Sequence, residues 1–139
     1  MPDVTKAVNE GPVLVPGWAK PRGYNNGYRA GNTVFVAGQV AWDAQQQLVG
    51  AGDFAAQFRQ AIQNVRAVLD AAGAPVSRVG RVTVYVTSKQ AYMDCLPAVG
   101  AAWRESMGHH YPAMSLVQVA DLLEEGAMVE IEATADVSP

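Results

Sequence analysis

The sequence predicts a single α+β domain spanning residues 1–139, built as a β-sheet with two helices packed on one face. Three observations lead there. Runs with a side-chain period of two recur at both ends of the chain, so strands are not confined to one half. Two segments with apolar residues every three to four positions stand among them, enough helix to cover one sheet face and not two. A chain of 139 residues is one domain's worth, able to bury about two-thirds of its unfolded surface.

The elements follow in order. Residues 1–23 carry Pro2, Pro12, Pro16 and Pro21 with Gly11, Gly17 and Gly23, and read as an irregular arm. Trp18 inside it either pins the arm to the body or lines a pocket. Tyr24 to Arg29 is a candidate short strand, with Gly31-Asn32 as a tight turn. Thr33 to Trp42 is a strand, with Val34, Val36, Val40 and Trp42 on one parity. Gly38 interrupts it, as at a bulge or a close backbone approach. Leu48-Val49 is a candidate return strand.

Asp53 to Ala72 is the clearest helix. Phe54, Phe58, Ile62, Val65 and Leu69 form one apolar stripe, while Gln57, Arg59, Gln60, Gln63, Asn64 and Arg66 are read as the remaining, solvated surface. Asp53 suits an N-cap, and Gly73 with Pro75 ends the helix. Arg81 to Thr87 alternates Val82, Val84 and Val86 with Thr83, Tyr85 and Thr87, a second strong strand. Lys89 to Met107 returns to helical spacing, and Pro97 predicts either a short first turn ending near Cys95 or a kink.

Pro112 to Asp136 reads as two strands joined by an acidic, Gly-containing connection. Its second strand puts Glu130 and Glu132 on one face and Val129, Ile131 and Ala133 on the other. The sheet face away from the helices is then expected to hold Thr83, Tyr85, Glu130, Glu132, Phe35, Leu116 and Gln118. Such apolar content on an open face points to a subunit interface.

Composition narrows the classes. A net charge of −3 argues against nucleic-acid binding through bulk positive charge. The lone Cys95 excludes an internal disulfide, and no run of about 18 apolar residues is present, so a cytoplasmic protein without a membrane partner is expected. His109-His110 lacks further ligands at metal-binding spacing, and neither a metal nor a cofactor is expected. Cys95 lacks a nucleophile motif and reads as a small buried hydrophobe. The glutamate pair remains. Either member is a salt-bridge or solvent-facing residue, or else a carboxylate in a partly apolar cleft that activates water as a general base.

Several segments together resemble the RidA/YjgF family. They are Gly-Asn-x-Val-Phe-Val-Ala-Gly-Gln-Val at 31–40, Asn-Val-x-Ala-Val-Leu-x-Ala-Ala-Gly-Ala at 64–74, Val-x-Arg-Val-Thr-Val-Tyr-Val at 79–86, the run Tyr-Pro-Ala-Met-Ser-Leu-Val-Gln-Val-Ala-x-Leu, and Val-Glu-Ile-Glu-Ala at 129–133. The resemblance runs from about Tyr24 to Val137. It implies a chorismate-mutase-like fold with a mixed sheet, assembled as a homotrimer whose sheets form a central barrel. It also implies small-molecule clefts between subunits, and hydrolysis of enamine or imine intermediates to a keto acid and ammonia.

Carried over position by position, the family's tyrosine is Tyr24 and its water-positioning glutamate is Glu130. Its hydroxyl residue falls on Ala37, its asparagine on Leu96 and its carboxylate-binding arginine on Met114. A thioether offers neither the charge nor the fork geometry of a guanidinium. Two expectations follow. The cleft either keeps water activation at Glu130 and takes a larger or less acidic imine or enamine, or has become a small-molecule-binding or regulatory site without the reaction. In the first case the ligand is held by Tyr24, Trp18, Met114 and Leu116, with Arg22 or Arg29 supplying the missing charge. Ribonuclease activity, described for some relatives, finds no support in the charge or in any histidine pattern.

Overall fold

The structure, a computed structural model, describes residues 10–139. The part of the arm that precedes residue 10 lies outside the described residues. Strands β1 (Gly11–Val13), β2 (Gly27–Ala30), β3 (Thr33–Gln39), β4 (Val79–Val86), β5 (Ala113–Gln118) and β6 (Val129–Asp136) form one sheet in the order β1-β2-β3-β6-β4-β5. All neighbouring pairs are antiparallel except β4 and β5. That parallel pair needs a crossover, and the second helical segment provides it. The sheet is therefore mixed.

Helix α1 (Phe54–Ala71) starts where the Asp53 side chain accepts from the Ala56 amide at 3.1 Å. It stops at Gly73, whose φ of 67° is left-handed and whose lack of Cβ removes the steric cost. The predicted stripe of Phe54, Phe58, Ile62, Val65 and Leu69 is buried against Val34 and Val36 of β3 and Ile131 and Ala133 of β6. Each such side chain contributes about 1.5–3 kcal/mol by leaving water. The second segment is broken at Cys95 into α2 (Lys89–Asp94), capped by Ser88, and α3 (Leu96–Met107). Pro97 sits in the first turn of α3, where its missing N–H has no partner to lose. All the helices lie on one face, α3 against α1, with Trp103 and Met107 sealing the core.

The structure corrects the sequence reading in particular places. The arm is not wholly irregular, because Gly11–Val13 pairs with β2. The third strand ends at Gln39, with a register shift between Val36 and Gln39 around Gly38, and Trp42 meets Leu48 only as an isolated bridge. Gln57 and Asn64 are buried rather than solvated. The Gln57 amide donates to the Gly50 and Gly126 carbonyls and accepts from the Met128 amide, and Asn64 donates to the Val40 and Trp42 carbonyls. Loop backbone that packs on α1 needs such partners, and short polar side chains supply them.

Leu116 and Gln118 also change sides. The parallel register pairs them with Val84 and Val86, so both stand on the helix-covered face. Gln118 there accepts from the Lys89 amide at 2.8 Å. Among the described residues no helix is long and apolar enough to cross a membrane.

Candidate active site on two faces of the sheet

The open face is built by the alternation of β6 and β4. Val129, Ile131 and Ala133 point into the core, which turns Glu130 and Glu132 outward beside Tyr85 and Thr83. Phe35 and Tyr28, paired across β2 and β3, extend the same face and are exposed at 48% and 38%. A depression of about 290 Å³ on this face is lined by Tyr28, Phe35, Ala37, Arg81, Thr83 and Glu132.

The two glutamates differ in their surroundings. Glu132 accepts a hydrogen bond of 2.7 Å from the Tyr85 hydroxyl, which holds the Tyr85 proton and pushes its pKa upward. Glu130 accepts no hydrogen bond among the described residues. It is half-buried, and that burial, followed by the repulsion of Glu132, holds its carboxyl above the ordinary range. Its side chain lies directly on Gly38. A Cβ there would stand 2.7 Å from the Glu130 Cδ, so only glycine leaves the carboxylate its place. Gly38 therefore marks both a bulge and a close approach.

The remaining sequence-derived site residues fall at different places. Ala37 shares the open-face depression with Glu132. Tyr24 is exposed, within 3.4 Å of the Gln46 amide, and its hydroxyl pKa is raised chiefly by burial. Trp18 packs on the edge of the core and also lines two hollows beside the arm, one with Gln39, Trp42 and Asn64 and one with Val13 and Pro21, and Arg22 is exposed. Arg29 is tied to the β2–β3 turn through the Gly31 carbonyl and the Asn32 side chain. It pairs with Val34, which puts it on the helix side, away from Glu130.

Met114 and Leu116 stand on the helix face as well, opposite Val82 and Val84. There they form one wall of a groove of about 360 Å³, whose other wall is Tyr92, Trp103 and Arg104, with Tyr111 at the rim. Leu96 is exposed one turn before Gly100, which also lines this groove. Within one chain, then, Glu130 and Met114 are on opposite sides of the sheet. The sequence reading puts both at one cleft, between subunits rather than within one chain. It also passed over Tyr85 as a partner for Glu132, and the groove residues Trp103, Arg104 and Tyr111; the i, i+4, i+8 spacing of Leu96, Gly100 and Arg104 was the available signal.

His110 contacts the Val79 carbonyl at 2.7 Å, and its own carbonyl accepts from the Trp103 indole, so its role is to fix the α3–β5 connection. No group of three metal-ligating side chains occurs among the described residues. Cys95 is half-buried against the core at the α2–α3 break.

Comparison with known proteins gives a consistent result. A family model described as Endoribonuclease L-PSP matches residues 19–137. A RutC family protein of Pyrococcus horikoshii is 35% identical over 117 residues, covering 84% of this chain and 89% of its own. A 2-iminobutanoate/2-iminopropanoate deaminase of Salmonella typhimurium is 34% identical, covering 81% and 85%. The crystal structure of E. coli TdcF with bound serine superposes with a TM-score of 0.78 at 28% identity, over 91% of this chain and 98% of that one.

Proposed function

The chain belongs to the RidA/YjgF family, and from that premise we propose that it hydrolyses the C=N bond of an imine, or of an enamine through its imine tautomer. The observation that carries the reading is Glu130, a half-buried carboxylate with no hydrogen-bond donor of its own and a raised pKa. Such a group can accept a proton from a bound water as that water attacks the imine carbon. The proton passes on to nitrogen in the tetrahedral adduct, the C–N bond breaks, and R₂C=NH plus water becomes R₂C=O plus ammonia. Tyr85 keeps Glu132 occupied, which leaves Glu130 to the water.

The two half-sites face opposite ways in one chain, so a complete site needs a second copy. We place the ligand in an inter-subunit cleft. There Glu130, Ala37 and Tyr24 of one protomer meet Met114, Leu116 and Leu96 of the next, in a homotrimer closed through the exposed Phe35 face. Met114 cannot pair with a carboxylate on the imine carbon. Loss of such a partner costs on the order of 2–5 kcal/mol, so the substrate is larger or less acidic than a short 2-imino acid. The same observation favours a second reading, a ligand-binding trimer that has lost the reaction. The ribonuclease description of the family model is not carried over, because two carboxylates lead the open face of a chain with net charge −3.

The test is ammonia release from imines generated in situ, from 2-iminopropionate upward in size. Acceleration that disappears in Glu130→Gln is expected, with Met114→Arg raising the rate on 2-iminopropionate. No acceleration on any imine, and none gained in Met114→Arg, would establish the binding protein instead.

A further inference from the structure

The groove behind Met114 contains one charged side chain. Arg104 stands on the α3 ridge formed by Leu96, Gly100 and Arg104, facing Met114 and Leu116 across the groove. Three other arginines are occupied. Arg59 pairs with Glu105, Arg66 with Asp70 and the Ser106 carbonyl, and Arg78 with Asp136. The Arg104 side chain has no hydrogen-bond or ion-pair partner among the described residues. Its guanidinium folds back over the preceding turn, and a Cβ built on Gly100 would lie 3.1 Å from its Nη1. Glycine inside a helix is otherwise unfavourable, and here its missing side chain is the space the guanidinium uses.

We propose that Arg104 is the anion anchor of this site, so that its ligand carries a bulky apolar group together with one anionic group. This rests on the hydrolase reading for the reaction but not for the binding. The Arg104 side chain is exposed at the groove lined by Trp103, Tyr92 and Tyr111, and offers a carboxylate a fork of N–H donors that the thioether at 114 cannot. The hydrocarbon part of the ligand lies on Met114 and Leu116. The charge has moved from the strand to the facing helix, and the space vacated on β5 is apolar. A 2-imino acid with a benzyl or branched side chain fits this chemistry better than 2-iminopropionate.

Phenylacetate and its neutral isostere phenylacetamide separate the contributions by equilibrium titration of the full chain. Wild type should favour phenylacetate by roughly tenfold or more, a preference that Arg104→Ala abolishes and Arg104→Lys partly keeps. Gly100→Ala should raise the melting temperature through helix propensity while weakening the preference, which separates anchoring from damage to the fold. Equal binding of both probes by wild type, or a preference untouched by Arg104→Ala, overturns the assignment. If that preference depends on Arg104 while no imine is hydrolysed, the anchor stands and the reaction falls. If hydrolysis depends on Glu130 while Arg104→Ala alters neither the preference nor the KM, the reaction stands and the anchor falls.

Discussion

Glu130 and Glu132 are two residues apart on one strand, and their chemistry diverges because of what each touches. The Tyr85 hydroxyl reaches only Glu132, and the bulge at Gly38 lets Glu130 fold onto bare backbone, out of part of its hydration. A carboxyl raised in this way works as a base only when deprotonated. The rate of imine hydrolysis should therefore fall as pH drops through the raised Glu130 value, with its acid limb above the usual Glu range near ~4.3. Stability moves in the opposite sense. The folded chain binds the Glu130 proton more tightly than the unfolded chain, so stability is lost as pH rises from the unfolded pKa through the folded one. Glu130→Gln should accordingly be inactive yet more stable than wild type at neutral pH, the gap closing in acid; thermal melts at both pH values measure it. A Gln variant less stable than wild type at neutral pH would mean that the charged form is favoured by a partner.

At the scale of elements, α1 carries more than an apolar stripe. Its inward polar residues hold loops from three parts of the chain, Gln57 alone binding the Gly50 and Gly126 carbonyls and the Met128 amide. Gln57 thereby sets where β6 begins, and with it the position of Glu130. Gln57→Leu keeps the volume but leaves those backbone groups unpaired, which should cost about 1–3 kcal/mol in urea unfolding. Gln63→Leu, at a partly exposed position on the same helix with no comparable backbone bonds, should change little. Helical periodicity puts Gln57 at the edge of the apolar stripe and Gln63 on the far side, but does not reveal the backbone groups that Gln57 binds. The difference lies in the loops that pack over α1, and those are distant in sequence.

For the whole molecule, the open sheet face is the feature that demands a partner. Phe35 and Tyr28 are large, exposed and adjacent, and Val117 adds to the apolar surface of the same face. Sedimentation at micromolar concentration should give a trimer. Phe35→Asp should dissociate it and abolish hydrolysis together, since each half-site then loses its complement. A stable wild-type monomer with full activity would remove the inter-subunit site. The capped α1 helix, the break near Cys95 and the faces of β4 and β6 were legible in the sequence, because periods of two and 3.6 are local properties of the chain; the strand Gly11–Val13 was not, since three residues are too few to show a period. The sidedness of β5 was not. Ala-Met-Ser-Leu-Val-Gln carries apolar residues on both parities, so its pattern is compatible with either orientation. Pairing with β4 made the choice, placing Met114, Leu116 and Gln118 over the helices. The sequence by itself determined that Glu130 faces away from the core and that no arginine stands at 114. Only the tertiary structure decided that these two positions lie on opposite faces, and that Arg104 reaches the groove beside Met114, because strand pairing and helix docking act between segments that share no local pattern.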